Sequence, residues 1–404
     1  MIQPEQLSAM AQRAQTDPIA DIFNAVMPRQ AADPSFISLA AGPPQNQLLP
    51  NDLLPELVAA AQATDKRQGL LNYTMPQGLP PLRAGFAAML NKQGVACSPE
   101  AMLITSGGME AISLAAQLTL NPGDTVLVES PAFPGAIATF KQCGAQVVHL
   151  ACDKDGLKPD VLEKAIAEHK PKLVSLMVDY QNPAGWVMPA ERREQIAGIL
   201  KATGTLAIED GVYSLLRFEG EPVPPLQSYA PEHVMYAASV SKILAPAMRI
   251  GCLVAPGALL QKAAAIKSSY NMQASGFTQA LTERFLNPDA LYLDKQLARL
   301  RETYKKRRDS MMDALQEHLP AGAGYVWTSP AGGMFLWLEG PADTDFTRLF
   351  KPALDNGVAY VPGPMFFADP SLGKTAARLN FASTPEEDIP EGIRRLALTL
   401  TGRR

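Results

Sequence analysis

Cysteine is scarce in this 404-residue chain: four residues, at 97, 143, 152 and 252, with no C-x-x-C pair among them. That excludes a disulfide-stapled scaffold and a cysteine-based zinc site. The four histidines, at 149, 169, 233 and 318, are just as scattered, so no metal site is expected. Positive charge is not in excess either. Lys and Arg number 36 against 40 Asp and Glu, a net charge of -4, which gives no general reason to bind nucleic acid or an anionic membrane. One basic run, Lys305-Lys306-Arg307-Arg308, follows an apolar helical pattern (Leu297, Leu300, Tyr304) and reads as a solvated helix face. Residues 1–30 hold Glu5, Arg13, Asp17, Asp21 and Arg29 without an apolar core, so neither a secretory signal nor a membrane span is expected there. The expected compartment is the cytoplasm, with free thiols. No internal repeat or low-complexity tract is present.

What is there is a composition of 47% hydrophobic and 19% charged residues, that of a globular enzyme, in a chain too long for one ordinary core. Short β-branched runs alternate with helix-length stretches from about residue 100 to 256: "AMLITS", "TVLVES", "QVVHL", "KLVSLMVDY", "TLAIED", "VMYAASVS" and "IGCLVAP". The stretch "PAERREQIAGILKATG" opens with Pro189 and closes at Gly204, as helix termini prefer. The pattern predicts an α/β fold whose large domain carries a mostly parallel seven-stranded sheet flanked by helices. Beyond Gly257 a long helical region precedes strand-like pieces punctuated by Gly and Pro, which predicts a smaller α+β domain. Expected boundaries are an N-terminal helix and arm over 1–45 packing with the small domain, a large domain over 46–285 and a small one over 286–404.

In an open parallel sheet, ligands bind beyond the carboxyl ends of the strands. Four predicted strands deliver polar residues there: "AMLITS" runs into Gly107-Gly108, "LMVDY" into Asn182, "LAIED" ends at Asp210, and "MYAASVS" leads to Lys242. Two chemistries compete for that lysine. Ser239 and Lys242 form a Ser-x-x-Lys pair of the kind serine acyl-transfer enzymes use. The companion motifs are out of order, however: Tyr180-Gln181-Asn182 precedes the pair, and Lys374-Thr375-Ala376 lacks a final glycine. The alternative is an anchor for pyridoxal 5'-phosphate (PLP), which needs a lysine, an anion for the pyridine nitrogen, phosphate donors and a hydrogen bond to the ring oxygen.

The segments "YTMPQGLPPLR", "TSGGMEAI", "QNPAGWVMP", "EDGVYSLLRF", "SVSKILAPAMRIG", "GGMFLW" and "ARLNFA" together resemble the class I aminotransferases of fold-type I PLP enzymes. The branch most resembled contains 2-aminoadipate and kynurenine aminotransferases. The resemblance implies that Lys242 forms the PLP Schiff base and shuttles the Cα proton, and that Asp210 pairs with the pyridine nitrogen. It implies that Asn182 and Tyr213 hydrogen-bond the ring oxygen and that Phe133 stacks on the ring. Gly107, Gly108, Met109, Ser239, Ser241 and Arg249 would hold the phosphate. The family usually has a hydroxyl or amide side chain where Gly108 and Met109 stand, which leaves more of that task to backbone N–H groups. Arg378, with Gly42 and Asn182 beside it, would grip the substrate carboxylate. Tyr73 resembles the tyrosine that reaches the phosphate of a neighbouring subunit, which implies a homodimer with shared sites. Strand alternation turns Glu209 away from the face of Asp210.

The expected function is therefore ping-pong transfer of an amino group from an amino acid to a 2-oxo acid. A PLP-dependent lyase or decarboxylase on the same scaffold stays open, because the bond aligned at Cα decides the outcome. A transcription regulator carrying this domain would need a winged helix, for which the roughly 35 residues before the resemblance leave no room. Some relatives place an arginine in the N-terminal helix to hold a distal carboxylate, and Ala20 stands there. A neutral, apolar or aromatic side chain is the expected substrate, with Met109, Trp186 and Phe277 as candidate walls.

Overall fold

The computed structural model describes residues 6–14, 18–40, 42–64, 70–319 and 322–402. After the helix Pro18–Ala32, a short strand β1 (Ile37–Ser38) leads into an irregular stretch and the helices Leu54–Thr64 and Pro80–Asn91. The main sheet follows: β2 (Met102–Thr105), β3 (Thr125–Ser130), β4 (Gln146–Asp153), β5 (Gly156–Leu157), β6 (Leu173–Leu176), β7 (Ala207–Asp210), β8 (Val234–Ser239) and β9 (Gly251–Val254). Their spatial order is β2-β9-β8-β7-β6-β3-β4-β5. The inner strands β8, β7, β6, β3 and β4 run parallel, while β9 is antiparallel to both of its neighbours. All seven anticipated runs are strands of this sheet. The eighth member, β5, is a two-residue strand antiparallel to β4 at the edge, too short to register as a hydrophobic run.

Both faces of the sheet are covered, which is why its strands read as continuous apolar runs rather than alternating ones. Leu173, Ile208 and Met235 pack with Ile112 and Ala115 of the helix Gly108–Thr119. Their neighbours Val174, Ala207 and Val234 point the other way, against Leu162 of the helix Pro159–His169 and Ile196 and Leu200 of the helix Ala190–Thr203. Each fully buried aliphatic side chain contributes roughly 2 kcal/mol. The helix Ala190–Thr203 has Pro189 at its N-cap and ends on Gly204 at φ 66°, a left-handed conformation that glycine adopts without strain.

The chain then forms the helices Gly257–Tyr270 and Gly276–Leu286 and a 27-residue helix, Tyr292–His318. A second, antiparallel sheet follows, built from β10 (Val326–Trp327), β11 (Phe335–Glu339), β13 (Val361–Pro362) and β14 (Ala376–Asn380) in the order β10-β11-β14-β13. Strand β12 (Val358–Ala359) pairs instead with β1, and Asn380 N donates to Leu39 O, so the N-terminal arm is stitched to the C-terminal sheet. Among the described residues no helix is long and apolar enough to cross a membrane.

The basic run on the long helix departs from expectation. Lys306 is exposed and Lys305 half-buried, paired with Glu302 and Asp309 respectively, but Arg307 and Arg308 are buried. Arg307 donates to Ala382 O at 2.7 Å, and Arg308 donates to Pro330 O and pairs with Glu219. Four consecutive helical residues sweep most of a turn, so they cannot all face solvent.

Candidate functional site

A cavity of about 210 Å³ opens at the carboxyl ends of β2, β7 and β8 and is closed from the other side by Arg378 of β14 and Phe335 of β11. Asp210 ends β7 on the same side of the sheet as Ile208, toward the helix Gly108–Thr119. Its carboxylate is 6% exposed and accepts one hydrogen bond, from Val212 N at 3.3 Å, with no cation in ion-pair contact among the described residues. A buried carboxylate so poorly compensated resists ionisation, and burial pushes Asp210 up to about 7. Glu209 takes the opposite face, where it accepts from Leu226 N and Gln227 N.

Lys242 lies three residues past the end of β8. Its Nζ donates to Gly42 O at 2.9 Å, tying the N-terminal arm to the sheet. Burial lowers the Lys242 pKa to about 8, with repulsion from Arg378 and then Arg249 adding to the shift and Asp210 opposing it. Ser239 Oγ is engaged elsewhere, with Ser241 Oγ at 2.9 Å and Ile250 O at 3.2 Å. The Ser-x-x-Lys pair therefore shows no serine–lysine hydrogen bond, and it leaves a strand rather than opening a helix.

At one end of the cavity the helix Gly108–Thr119 presents its first turn. Gly107, at φ 92°, makes the turn from β2 into it, and a Cβ there would stand 2.6 Å from Arg249 Nη2. Arg249 itself adopts φ 49° and donates to Ser106 O at 2.9 Å. Glu110 accepts from Ser106 N and pairs with the fully buried Lys267 at 2.9 Å, which braces the turn from behind. Exposed backbone N–H groups, two serines and an arginine make this end a site for a dianion.

At the other end, Arg378 donates to Asn182 Oδ1 at 3.0 Å and to Ala40 O at 3.1 Å, with its guanidinium 4.1 Å above the Phe335 ring. Phe335 in turn meets Tyr213 edge-on, ring centroids 5.6 Å apart. The Asn182 side chain lies beside the Tyr213 phenol, which burial drives well above its ordinary pKa. Phe133, at the N-cap of the helix Pro134–Gln142, and Met109 complete the wall, with Gly42 at the rim.

Nearly every residue singled out from the sequence thus meets in one place. Tyr73 does not: it is 75% exposed and away from this chain's cavity. Trp186 and Phe277 are not walls either. Trp186 packs with the N-terminal helix cluster beside Gly156, because the turn through Gly185 carries the chain away after Asn182, and Phe277, on the helix Gly276–Leu286, packs on the main core. Residues not anticipated as lining are Ile19, Ile112, Met177, Val212, Pro246 and Phe335. Phe335 sat inside "GGMFLW" and Val212 two residues past Asp210, so position next to a motif was the available signal.

Chemically, the cavity offers a dianion site, a carboxylate needing a cationic N–H, a hydrogen-bonding pair and an amine held partly neutral, and beyond them an arginine for a second anion. The sequence profile of the family described as aminotransferase class I and II matches residues 35–396. Aromatic-amino-acid aminotransferase 1 of Thermococcus litoralis is 36% identical over 90% of this chain and 88% of its own length. The 2-aminoadipate transaminase of Thermus thermophilus is 32% identical over 91% of each. The crystal structure of Pyrococcus horikoshii kynurenine aminotransferase, in complex with PMP, superposes with a TM-score of 0.91 over 98% of this chain and 97% of that one, at 32% identity.

Proposed function

Because the chain belongs to the aminotransferase class I and II family, we propose that its amino donors are amino acids with neutral, apolar or aromatic side chains. It is a PLP-dependent aminotransferase of amino acid metabolism, acting on an amino acid and a 2-oxo acid. The observation that carries the finer reading is the cavity wall. Its cations are Lys242, Arg249 and Arg378, all belonging to the shared machinery, and Ile19, Ile112, Met109, Val212 and Phe335 add apolar surface. A distal carboxylate would enter unpaired, at a cost that disfavours it. Ala20, at the position where some relatives carry arginine, supplies no charge. Steady-state kcat/KM for leucine, phenylalanine and 2-aminoadipate tests this: the first two should exceed the third by at least about tenfold, the value of one charge-assisted contact.

The residues present fit PLP. The Gly107 turn leaves no room for a Cβ beside Arg249, as a backbone cradle requires, and Asp210 is a buried carboxylate with no cation in ion-pair contact among the described residues. When bound, PLP supplies an aldehyde and an electron-accepting pyridinium ring. The first turn of the helix Gly108–Thr119, with Met109, Ser239, Ser241 and Arg249, would bind the phosphate. Asp210 would keep the ring nitrogen protonated, which also relieves its own unpaired burial. Asn182 and Tyr213 would donate to the ring oxygen, and Phe133 would cover the ring face. Arg378, with Gly42 and Asn182 beside it, would hold the substrate carboxylate and so fix which Cα bond stands perpendicular to the ring. Lys242 Nζ, whose lowered pKa of about 8 raises its neutral fraction, would take the Cα proton and return it as the acid.

The protein acts as a homodimer in this reading, with Tyr73 reaching the partner's phosphate site. The exposed apolar side chains around it, Leu71, Met75, Tyr270 and Met272, support an interface there. The division into an arm over 1–45, a large domain over 46–285 and a small domain over 286–404, and a cytoplasmic location, belong to the same proposal. Sedimentation of the purified protein tests the dimer.

A further inference from the structure

Behind the candidate site lies a second cavity of about 260 Å³. It sits between the helix Pro80–Asn91 and the start of the helix Tyr292–His318, on the far side of chain segments that also line the first cavity. Tyr180 faces it, two residues before Asn182. Ser214, Leu215 and Arg217 face it, directly after Tyr213. Tyr180 holds φ 49°, a conformation uncommon for a bulky residue, and its ring lies against Gly332, where a Cβ would come within 2.4 Å, three residues before Phe335. The two cavities thus share the backbone that positions Asn182, Tyr213 and Phe335.

The chemistry of this second cavity is unusual for a packing void. Two guanidinium groups, Arg217 and Arg301, point into it, and neither meets a carboxylate in ion-pair contact among the described residues. Arg301 donates from Nε to Leu215 O at 3.0 Å, and Arg217 donates to Gly220 O. Those two bonds leave further N–H groups on both side chains for an incoming anion. Burial and then repulsion from Arg217 lower the Arg301 pKa, and both outrank the attraction of Asp294. The other acid present, Asp179, is already neutralised by Arg193 at 2.5 Å. Lys92 adds a third positive charge at the rim, opposite the exposed Asp294. The remaining wall is aliphatic, with Leu286, Leu293 and Leu297 prominent.

We propose that this cavity is a second binding site, for a small organic carboxylate whose anion pairs with Arg217 and Arg301 and whose apolar body lies along the leucines. Occupancy would tune the reaction through the segments the two cavities share. The amino acids and 2-oxo acids of the reaction are themselves carboxylates, so substrate or product is chemically suited to the site.

Hexanoate serves as the probe, because it has neither an amino nor an oxo group. Calorimetric titration into the PLP-loaded Arg378→Leu variant, which lacks the proposed grip on substrate carboxylates, should show saturable binding. Arg217→Gln and Arg301→Gln, added to that background, should each weaken it by about tenfold, and Arg217→Lys should retain it. Inorganic phosphate should bind more weakly than hexanoate, having no apolar body. In the otherwise wild-type enzyme, hexanoate should change kcat as well as KM, and Arg217→Gln should abolish the kcat component. The idea is overturned if Arg378→Leu binds no hexanoate, if phosphate binds better, or if both glutamine variants bind as their parent does. Arg301 anchors Leu215, so its variant is first checked by thermal melting. If it does not fold, the comparison of Arg217→Gln with Arg217→Lys decides alone, since Arg217 anchors only a surface turn.

Discussion

Arg378, on β14, and Asn182, in the turn beyond β6, are 196 residues apart and share a hydrogen bond of 3.0 Å from guanidinium to side-chain amide oxygen. That bond joins the proposed grip on the substrate to the proposed hydrogen-bond partner of the cofactor. A second Arg378 nitrogen reaches Ala40 O in the N-terminal arm, so three distant parts of the chain meet at one side chain. Arg378→Lys keeps the charge but not the fork, and a lysine cannot serve two fixed acceptors and a carboxylate in one plane. We expect KM for the amino donor to rise by about tenfold or more, with the PLP affinity little changed, as read from steady-state kinetics and cofactor titration.

Asp210 places function against stability. Its folded-state pKa of about 7 lies above the ordinary 3.8, so in the cofactor-free protein its ionisation opposes folding. The cost begins as pH rises past 3.8 and is complete above about 7. Asp210→Asn should therefore stabilise the cofactor-free chain by roughly 1–3 kcal/mol at pH 8 and much less at pH 4, while lowering kcat/KM by about three orders of magnitude. Thermal melts of both proteins at the two pH values, beside activity, check this. A destabilised variant at pH 8 would contradict it.

Lys242 captures an aldehyde only when neutral. With its pKa at about 8, the second-order rate of PLP capture by cofactor-free protein should climb with pH and level off above about 8. Arg378 is the largest charged contributor to that lowering, so Arg378→Leu should move the inflection upward. A stopped-flow pH series on the two proteins measures both.

Much of this site was legible before any coordinates. Asp210 and Glu209 could be told apart because strand alternation sends adjacent side chains to opposite faces, and the covered faces of the main sheet announced themselves as unbroken apolar runs. Ile19 and Ile112 were not legible as walls, because an apolar residue on a helix looks the same whether it meets a core or a ligand. Arg307 and Arg308 depart from the sequence pattern for a related reason: charge suggests solvent, yet both guanidiniums are buried against carbonyl groups of neighbouring chain segments. The second cavity escaped altogether, since Arg217 and Arg301 come together only through the fold.

Ile19 occupies the N-terminal helix at the mouth of the site. Ile19→Arg would place a cation against a wall that otherwise carries none beyond the shared three. The ratio of kcat/KM for 2-aminoadipate over leucine should rise by about tenfold or more, measured with a common 2-oxo acid acceptor.

Gly107→Ala tests the phosphate turn. At φ 92°, with Arg249 2.6 Å from the new methyl carbon, the substitution should cost roughly 1–3 kcal/mol of cofactor affinity, a Kd raised by about 10- to 100-fold. Equilibrium dialysis of PLP reads the change, and far-ultraviolet circular dichroism checks that the chain remains folded.

The most direct test of the account is where PLP attaches. Purified protein loaded with PLP, reduced with borohydride, digested and mapped by mass spectrometry should carry the reduced adduct on Lys242, and Lys242→Ala should carry none and lose turnover. An adduct on any other lysine with Lys242 unmodified, or full turnover by Lys242→Ala, would contradict the account.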